Sequence, residues 1–385
     1  MTTNFEVLKV PMLSIKEMPT ITSLVEHEIE GLQFTLSNTD VCFANAIRRT
    51  ILSDIDICCI LSDKHERNQV NVEINTGRLH NEILKQRLSC IPVHFNGNRD
   101  EMEAFCRDYR LDVDCKNDAN EMKVVTTADF HVINKSTGVE IKSEKIFRPD
   151  NYTSRFIDFS RLRPKISDSI PGEALKLTAN FSISNAKDNA MYNVVSKCTY
   201  SNTIDEELLQ RKWKLLESEH HSKGLTKEEI LFEKKNFYLL DGQRCFKPDS
   251  FDFTIKGLGI FSEHALLKMS CQTLISKFKQ IVEDVITNNV PILVSETTMK
   301  NSFDIILVNE DYTIGKILEY ILYTKFFVTK DPVLNFCGFK KFHPHDAKST
   351  IRVAFNDDKP QTTRQILHFA CEHAIVTLKN IMMLL

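Results

Sequence analysis

Near the N-terminus, a strand pattern stands directly before a helix pattern. Residues 32–36 alternate apolar and polar side chains, as a half-buried strand does. Residues 37–40 (Ser-Asn-Thr-Asp) are a run of potential helix N-caps. Apolar residues then recur with helical spacing at Val41, Ala44, Ile47 and Ile51. The sequence therefore predicts a strand, a capped turn and an amphipathic helix.

The same order of elements returns near the C-terminus. Residues 305–308 form a short apolar strand pattern, and a close-to-ideal helical stripe follows at Ile314, Ile317, Leu318, Ile321 and Leu322. Each half then ends in a long amphipathic helix pattern. These two patterns consist of Leu267, Cys271, Leu274, Ile275, Phe278, Val282 and Val285, and of Leu367, Ala370, Cys371, Ala374, Leu378, Ile381 and Met382.

An offset of 271 positions aligns the two strand–cap–helix segments. It pairs Leu36 with Leu307, Asn38 with Asn309, Asp40 with Asp311, Ala44 with Gly315, Ile47 with Leu318 and Ile51 with Leu322. A generic strand–cap–helix unit would give some of these matches by chance, so repeat and coincidence stay open as alternatives. A real repeat implies two copies of one module, each with an apolar helical face that the other covers.

The segments between these patterns have a different character. Residues 94–170 are polar with short β-like runs and predict an inserted β-rich subdomain, or alternatively a long loop excursion of one domain. The charged stretch 205–235 predicts one or two exposed helices broken at Gly224. Residues 288–301 contain a proline and no helical period, which indicates a linker.

If the repeat is real, these patterns predict an α+β fold in which two related modules cover each other's apolar helical faces and form a pseudo-dimer within one chain. The predicted organisation is an N-terminal module of residues 1–93 and 171–287, an insertion of residues 94–170, a linker of residues 288–301 and a C-terminal module of residues 302–385. The residues predicted at the dimerisation interface are Ala44, Ile47, Ile51, Leu274, Phe278, Ile314, Gly315, Leu318, Ile321, Leu322 and Leu378.

Composition is that of an ordinary soluble globular protein. The chain has 385 residues, of which 42% are hydrophobic and 26% charged. The formal net charge of −3 argues against a nucleic-acid grip over the whole surface, so any such contact has to be local. No apolar stretch approaches the roughly 18 residues of a membrane span, and the first 16 residues lack a signal-peptide layout. We therefore expect an intracellular protein without a membrane partner.

The sequence offers no catalytic or metal-binding constellation. The 11 cysteines are scattered, which predicts reduced thiols. A structural zinc needs four ligands at short paired spacings, and the 94–170 segment offers only Cys106 and Cys115. His343 and His345 flank Pro344 in a predicted turn. With no P-loop, nucleophile elbow or spaced carboxylate set, we expect no catalytic residues, no metal and no cofactor. A stand-alone enzyme that uses the Cys and His residues is the less favoured alternative.

Two motifs in the N-terminal half carry a family resemblance. Residues 34–38 (FTLSN) and 44–52 (ANAIRRTIL) closely resemble the signature of the RNA polymerase alpha-like subunits. That family includes the bacterial alpha N-terminal domain, the archaeal D subunit and the third-largest subunit of polymerase II. Residues 81–92 resemble a second family motif, with Gln86 and Ser89 where the family usually has His and Gly.

The C-terminal half resembles a different member of the same superfamily. Residues 310–318 (EDYTIGKIL), residues 336–340 (FCGFK) and His343-Pro344 are similar to the eleventh subunit of polymerase II and to archaeal subunit L. Tyr312 and Lys316 stand where that family tends to have His and Asn. One chain carrying both members resembles the arrangement in large nucleocytoplasmic DNA viruses. The resemblance thus implies a viral source, action in a viral factory in the host cytoplasm or nucleus, and packaging in the virion.

The resemblance implies a non-catalytic subunit that nucleates assembly of the two largest, catalytic polymerase subunits. It also implies small zinc-bearing subunits as partners and contact with DNA only through the complex. Asn45, Arg48, Arg49 and Arg87 are implied as contacts to a large subunit, with the arginine pair as the main candidates and a solvated helix face as the alternative. The alternative function is an interaction module that uses the same dimerisation fold outside a polymerase.

Overall fold

A computed structural model describes residues 18–27, 29–167, 169–356 and 361–385. The helices are α1 (Val41–Ser53), α2 (Asn81–Ser89), α3 (Arg99–Asp108), α4 (Ser143–Ile146), α5 (Glu206–Ser222), α6 (Lys227–Leu239), α7 (Glu263–Ile286), α8 (Tyr312–Leu322) and α9 (Gln361–Met383). The strands are β1 (Thr20–His27), β2 (Gly31–Ser37), β3 (Ile57–Cys59), β4 (Val70–Asn75), β5 (Tyr109–Lys116), β6 (Lys123–Thr126), β7 (His131–Asn134), β8 (Glu140–Ile141), β9 (Asp158–Leu162), β10 (Ala174–Asn180), β11 (Ser182–Ser184), β12 (Val195–Ile204), β13 (Phe246–Gly257), β14 (Ile292–Val294), β15 (Ser302–Val308), β16 (Leu334–Lys340) and β17 (Lys348–Phe355). This mixture of helices and antiparallel strands confirms the predicted α+β class.

The described residues divide into two compact units. Of the described residues, the first unit contains 18–27, 29–51, 197–256, 267–356 and 361–385. The second unit contains residues 52–196 and 257–266. Segments from both ends of the chain therefore belong to the first unit.

A sheet with the strand order β1-β2-β13-β12 carries the N-terminal part of the first unit. Strand β2 lies in its interior, and Leu32, Phe34 and Leu36 are buried on one face as their alternation predicts. The rings of Phe34 and Phe253 stack across β2 and β13 with their centroids 5.0 Å apart. Three residues separate the end of this strand from the start of α1.

A second sheet of the first unit has the order β14-β15-β17-β16. Ile305, Ile351 and Val353 are fully buried on one face. On the other face, Asp304 lies opposite Arg352 in the register of β15 and β17. Arg352 donates from Nε and Nη2 to the two carboxylate oxygens of Asp304 at 2.6 and 2.7 Å. The Asp304–Arg352 pair thus lies on the face of this sheet opposite Ile305, Ile351 and Val353.

The segment predicted to be a linker contains a strand. Within residues 288–301, β14 pairs antiparallel with β15 and forms the edge of the second sheet. Asn288 and Asn301, at the two ends of the segment, have φ values of 61° and 52°, in the left-handed region that Asn tolerates better than most residues. Three residues are too few to show a strand period, which is why the sequence pattern missed β14.

The second unit is built on a sheet with the order β4-β10-β5-β7-β8. Strand β10 pairs with β4 on one side and with β5 on the other. Strands from the predicted insertion and from the chain on both sides of it therefore share one sheet. The predicted domain boundaries stay a prediction. Helix α3, which the sequence reading missed, begins with a capping box between Asn98 and Glu101.

The helices predicted over the charged stretch are confirmed as α5 and α6. They are separated near Gly224, whose φ of 75° suits a residue without a Cβ. A small apolar cluster accompanies the two helices and consists of Leu209, Trp213, Ile230, Phe237 and Cys245.

Candidate functional site

Two helices of the first unit begin with the same local structure. Asn38 before α1 and Asn309 before α8 have φ values of 57° and 60°. Asp40 accepts a hydrogen bond from the Cys42 N–H at 2.8 Å, and Asp311 accepts one from the Thr313 N–H at 2.8 Å. Each aspartate side chain thereby satisfies an amide group that the first helical turn leaves without a partner. The 271-residue offset therefore aligns residues that have the same backbone conformation and the same cap.

Arg49 of α1 joins the N-terminus of α8. Its Nη2 donates to Asp311 Oδ2 at 2.6 Å, and its Nε donates to Thr313 Oγ1 at 2.8 Å. The Arg49 and Asp311 side chains are 38% and 34% exposed. A guanidinium presents several donors in a rigid plane, so one side chain engages both the cap residue and the first turn of the helix.

A second contact between these helices lies at their opposite ends. Phe43, near the start of α1, packs edge-on against Tyr320, near the end of α8, with ring centroids 6.4 Å apart. Arg49 lies late in α1 and Thr313 lies at the start of α8. Helices α1 and α8 are therefore antiparallel where they meet.

The environment of Asp311 favours its charged form. Burial alone would raise the pKa of this carboxyl. The hydrogen bonds from Thr313 and the positive charge of Arg49 outweigh burial and hold the pKa of Asp311 below its ordinary value. The carboxylate is consequently ionised at neutral pH, as both the N-cap and the ion pair require.

The other residues predicted to contact a large subunit lie in different settings. Arg48 donates from Nε and Nη2 to Asn45 Oδ1 at 3.1 and 2.9 Å, so these two half-buried side chains form a pair on α1. Arg87 lies in the second unit, where it donates to the backbone oxygens of Phe159 and Asp158 at 2.9 and 2.8 Å. Their role toward a large subunit stays a prediction. Arg49 differs from these residues in that its side chain bonds to the start of α8.

The side chains predicted at the dimerisation interface are fully buried in the first unit. Those with no measurable exposure are Ala44, Ile47, Ile51, Leu274, Phe278, Ile314, Leu318, Ile321, Leu322 and Leu378. Gly315, which the sequence predicts at the dimerisation interface, makes its closest contact with the sheet of its own module. A Cβ built on Gly315 would lie 2.1 Å from the ring of Phe339 on β16, so this glycine lets α8 pack against its own sheet.

Two cavities lie where α1 meets α8. One has a volume of about 540 Å³ and is lined by residues that include Asn45, Tyr312 and Tyr323. The other has a volume of about 440 Å³ and lies beside Thr39 and Thr324. Both cavities are lined by Asp40 and Tyr320. The sequence reading did not single out Tyr320, although the 271-residue offset places it opposite Arg49.

The described residues contain no group of three or more His, Cys, Asp or Glu side chains arranged to hold a metal ion. Cys106, a predicted candidate, lies 3.9 Å (Sγ to Sγ) from Cys58, whereas Cys115 is buried on β5. Its hydrogen bond with Cys58 lowers the pKa of Cys106. Among the helices of the described ranges, none combines the length and apolar character that a bilayer crossing needs.

Comparison with known proteins agrees with the family resemblance of the sequence motifs. The family model described as the RNA polymerase Rpb3/Rpb11 dimerisation domain matches residues 33–278. The DNA-directed RNA polymerase subunit Rpo3 of Pyrococcus furiosus is 22% identical over 284 residues, which cover 68% of this chain and 95% of that protein. Subunit 3B of the DNA-directed RNA polymerases IV and V of Arabidopsis thaliana is 26% identical over 201 residues. That alignment covers 49% of this chain and 58% of the plant protein.

A human relative gives a similar result. The subunit RPAC1 of the DNA-directed RNA polymerases I and III is 25% identical over 208 residues, or 49% of this chain and 55% of the human protein. The family match spans well over half of the chain and includes most of β2, all of α1 and the first part of α7. The chain therefore belongs to the family of the RNA polymerase Rpb3/Rpb11 dimerisation domain.

Proposed function

We propose that this chain is a non-catalytic structural subunit of a DNA-directed RNA polymerase, in which two alpha-like modules form an intramolecular pseudo-heterodimer. The observation that carries the proposal is the junction of α1 and α8, where Arg49 binds Asp311 and Thr313. Membership of the Rpb3/Rpb11 dimerisation family and the polymerase subunits among its relatives support the same assignment.

The junction has the form that a two-fold related pair of modules would produce. In an isologous interface, two modules use the same surface. If residue i of one module contacts residue j of the other, then residue j of the first module also contacts residue i of the second. The offset that makes Asp40 equivalent to Asp311 also makes Arg49 equivalent to Tyr320. Arg49 is bonded to Asp311, and the equivalent residues Tyr320 and Asp40 line the same two cavities. The antiparallel course of α1 and α8 has the same symmetry.

Hydrophobic burial supplies the driving force for this arrangement. The apolar stripes of α1, α7, α8 and α9 are buried within one compact unit that gathers both ends of the chain. Burial stabilises by roughly 25 cal/mol per Å² of apolar surface. A specific interface of ordinary size buries about 1,600 Å², so such a junction holds its halves together after the costs of association.

The role of the pseudo-heterodimer would be to nucleate assembly of the two largest, catalytic subunits. Asn45 and Arg48 lie on α1 beside the α1–α8 junction and are partly exposed, which supports the proposal that they contact a large subunit. Small zinc-bearing subunits would complete the platform. The fused chain would act in a viral factory and be packaged with the polymerase in the virion.

Affinity purification tests this proposal. A tagged full-length chain, expressed in the cells in which its own genome is transcribed, should co-purify with two large polymerase subunits in equal amounts by mass spectrometry. The particle should have a mass of several hundred kilodaltons, whereas an interaction module outside a polymerase would bring other proteins. Recovery of the chain without the large subunits would refute the assignment.

A further inference from the structure

The outer face of the second sheet carries a pocket with two exposed aromatic rings. The pocket, called here the aromatic pocket, has a volume of about 300 Å³. It is lined by Phe336, Gly338, Phe339, Lys340, Phe342, Thr350 and Arg352. Phe336 and Phe342 are 38% and 64% exposed. Part of each ring is therefore accessible to a ligand from solvent.

The strand period explains which side chains of β16 and β17 face the aromatic pocket. Phe339 of β16 points to the helix side, where its ring lies against Gly315. Gly338 and Lys340 therefore point to the opposite, outer side, together with Arg352 and Thr350, which are their register partners on β17. Gly338 has no side chain, so the Phe336 ring lies close to the strand at this position, about where a Cβ would contact it at 3.2 Å. The Phe336 ring therefore lies over the Gly338 backbone, and the part of the ring that stays open to solvent is accessible to a flat ligand.

The charge around the aromatic pocket is positive. Lys340 holds its Nζ over the Phe342 ring, 4.7 Å from the centroid. Lys348 is exposed at the start of β17. Within the described residues, neither lysine takes part in an ion pair, whereas the Asp304 carboxylate is neutralised by Arg352. Lys340 therefore lines the aromatic pocket, and Lys348 lies on β17 two residues before the lining residue Thr350, without an ion-pair partner for either lysine among the described residues.

We propose that the aromatic pocket binds single-stranded nucleic acid, with a base on the Phe336 and Phe342 rings and backbone phosphates at Lys340 and Lys348. A sheet face with exposed aromatic rings and nearby cations suits unpaired bases, because every base has a π-face and every linkage a negative charge. A site that binds a protein segment would be expected to surround the rings with apolar side chains. Here the neighbouring side chains are the cations Lys340 and Lys348. The inference goes beyond the proposed function and departs from the expectation that DNA is reached only through other subunits.

The test measures binding of the full-length chain to a fluorescein-labelled oligouridine of about 12 nucleotides by fluorescence anisotropy. Replacing both rings (Phe336→Ala with Phe342→Ala) should weaken binding at least about tenfold, since each stacked base contributes to affinity. Lys340→Glu with Lys348→Glu should weaken binding and flatten its salt dependence between about 50 and 200 mM. A duplex of the same length should bind less tightly, because its bases are already stacked.

Matched controls exist in the same unit. Phe232→Ala on α6 removes a ring of comparable exposure (61%), and Lys212→Glu with Lys214→Glu on α5 changes the net charge equally. Both controls should bind like the original chain. The inference is overturned if the oligonucleotide does not bind, if test and control variants weaken binding alike, or if a labelled acidic Glu/Tyr peptide binds the pocket more tightly than the oligonucleotide. Co-purification with polymerase subunits is scored separately, so failure of either proposal is recognised without the other.

Discussion

The guanidinium of Arg49 donates to the carboxylate of Asp311 at 2.6 Å, and the two residues are 262 positions apart in the chain. The bond joins a helix of the N-terminal half to the cap of a helix of the C-terminal half. The same carboxylate also caps α8 through the Thr313 amide. Asp311 therefore both caps α8 and binds Arg49 of α1.

The first prediction concerns charge at this contact. Arg49→Glu should lower the midpoint of thermal unfolding, because it places a second carboxylate beside Asp311. Loss of a partly exposed ion pair costs only about 0–1 kcal/mol, and repulsion adds to that loss. The charge swap Arg49→Glu with Asp311→Arg should recover part of the loss, although it also removes the cap. Arg48→Glu is the matched control, since Arg48 bonds to Asn45. Equal effects of the Arg48 and Arg49 variants would contradict the α1–α8 contact.

The second prediction concerns the connection between the halves. A protease site inserted at residues 287–289, after α7 and before β14, should be cleaved without separating the fragments. The cut leaves β14 paired with β15, so the C-terminal sheet stays intact. Size-exclusion chromatography should show both fragments in one peak at micromolar concentration. Separate elution of the fragments would show that the covalent connection, and not the buried interface, holds the halves together.

The third prediction concerns Gly315. Gly315→Ala should destabilise the chain by about 1–3 kcal/mol, the usual cost of an overpacked core, because the new methyl group would overlap the Phe339 ring. Chemical denaturation measures the change in the free energy of unfolding. A second substitution, Phe339→Leu, should recover part of the loss in the Gly315→Ala background while destabilising the original chain. Simple additivity of the two changes would argue against this steric contact.

The fourth prediction concerns acid stability. The pKa of Asp304 is lowered by its hydrogen bonds from Arg352, and the pKa of Asp311 is lowered despite its burial. A carboxyl whose pKa is lower in the folded state contributes stability that is fully present above its unfolded pKa of about 3.9. That stability is lost as the pH falls from there through the folded pKa. Asp311→Asn should therefore cost stability at pH 7 and reduce the slope of stability against pH below about 4, followed by denaturant midpoints. An unchanged acid slope in both Asp311→Asn and Asp304→Asn would contradict this assignment.

Local patterns in the sequence determined the elements that can form without reference to the rest of the chain. The alternation in β2 and the helical periods of α1, α7 and α8 are confirmed, because they report which side of an element faces a core. The 271-residue offset even paired Asn38 with Asn309, two residues of the same left-handed conformation. The family signature around Arg48 and Arg49 is likewise contained in a continuous segment.

Only the tertiary structure decided which elements meet. That Arg49 reaches Asp311, that Phe339 occupies the space at Gly315, and that β10 joins β4 to β5 are relations between residues distant in the chain. Periodicity shows that a face is apolar but not which other face covers it. Strand β14 shows the converse, since its three residues form a strand because β15 supplies their hydrogen-bond partners. The aromatic pocket also depends on pairing, because the register of β16 with β17 brings Gly338 beside Arg352. Long-range contacts of this kind are selected by the shape and chemistry of folded surfaces, which exist only once the chain has folded.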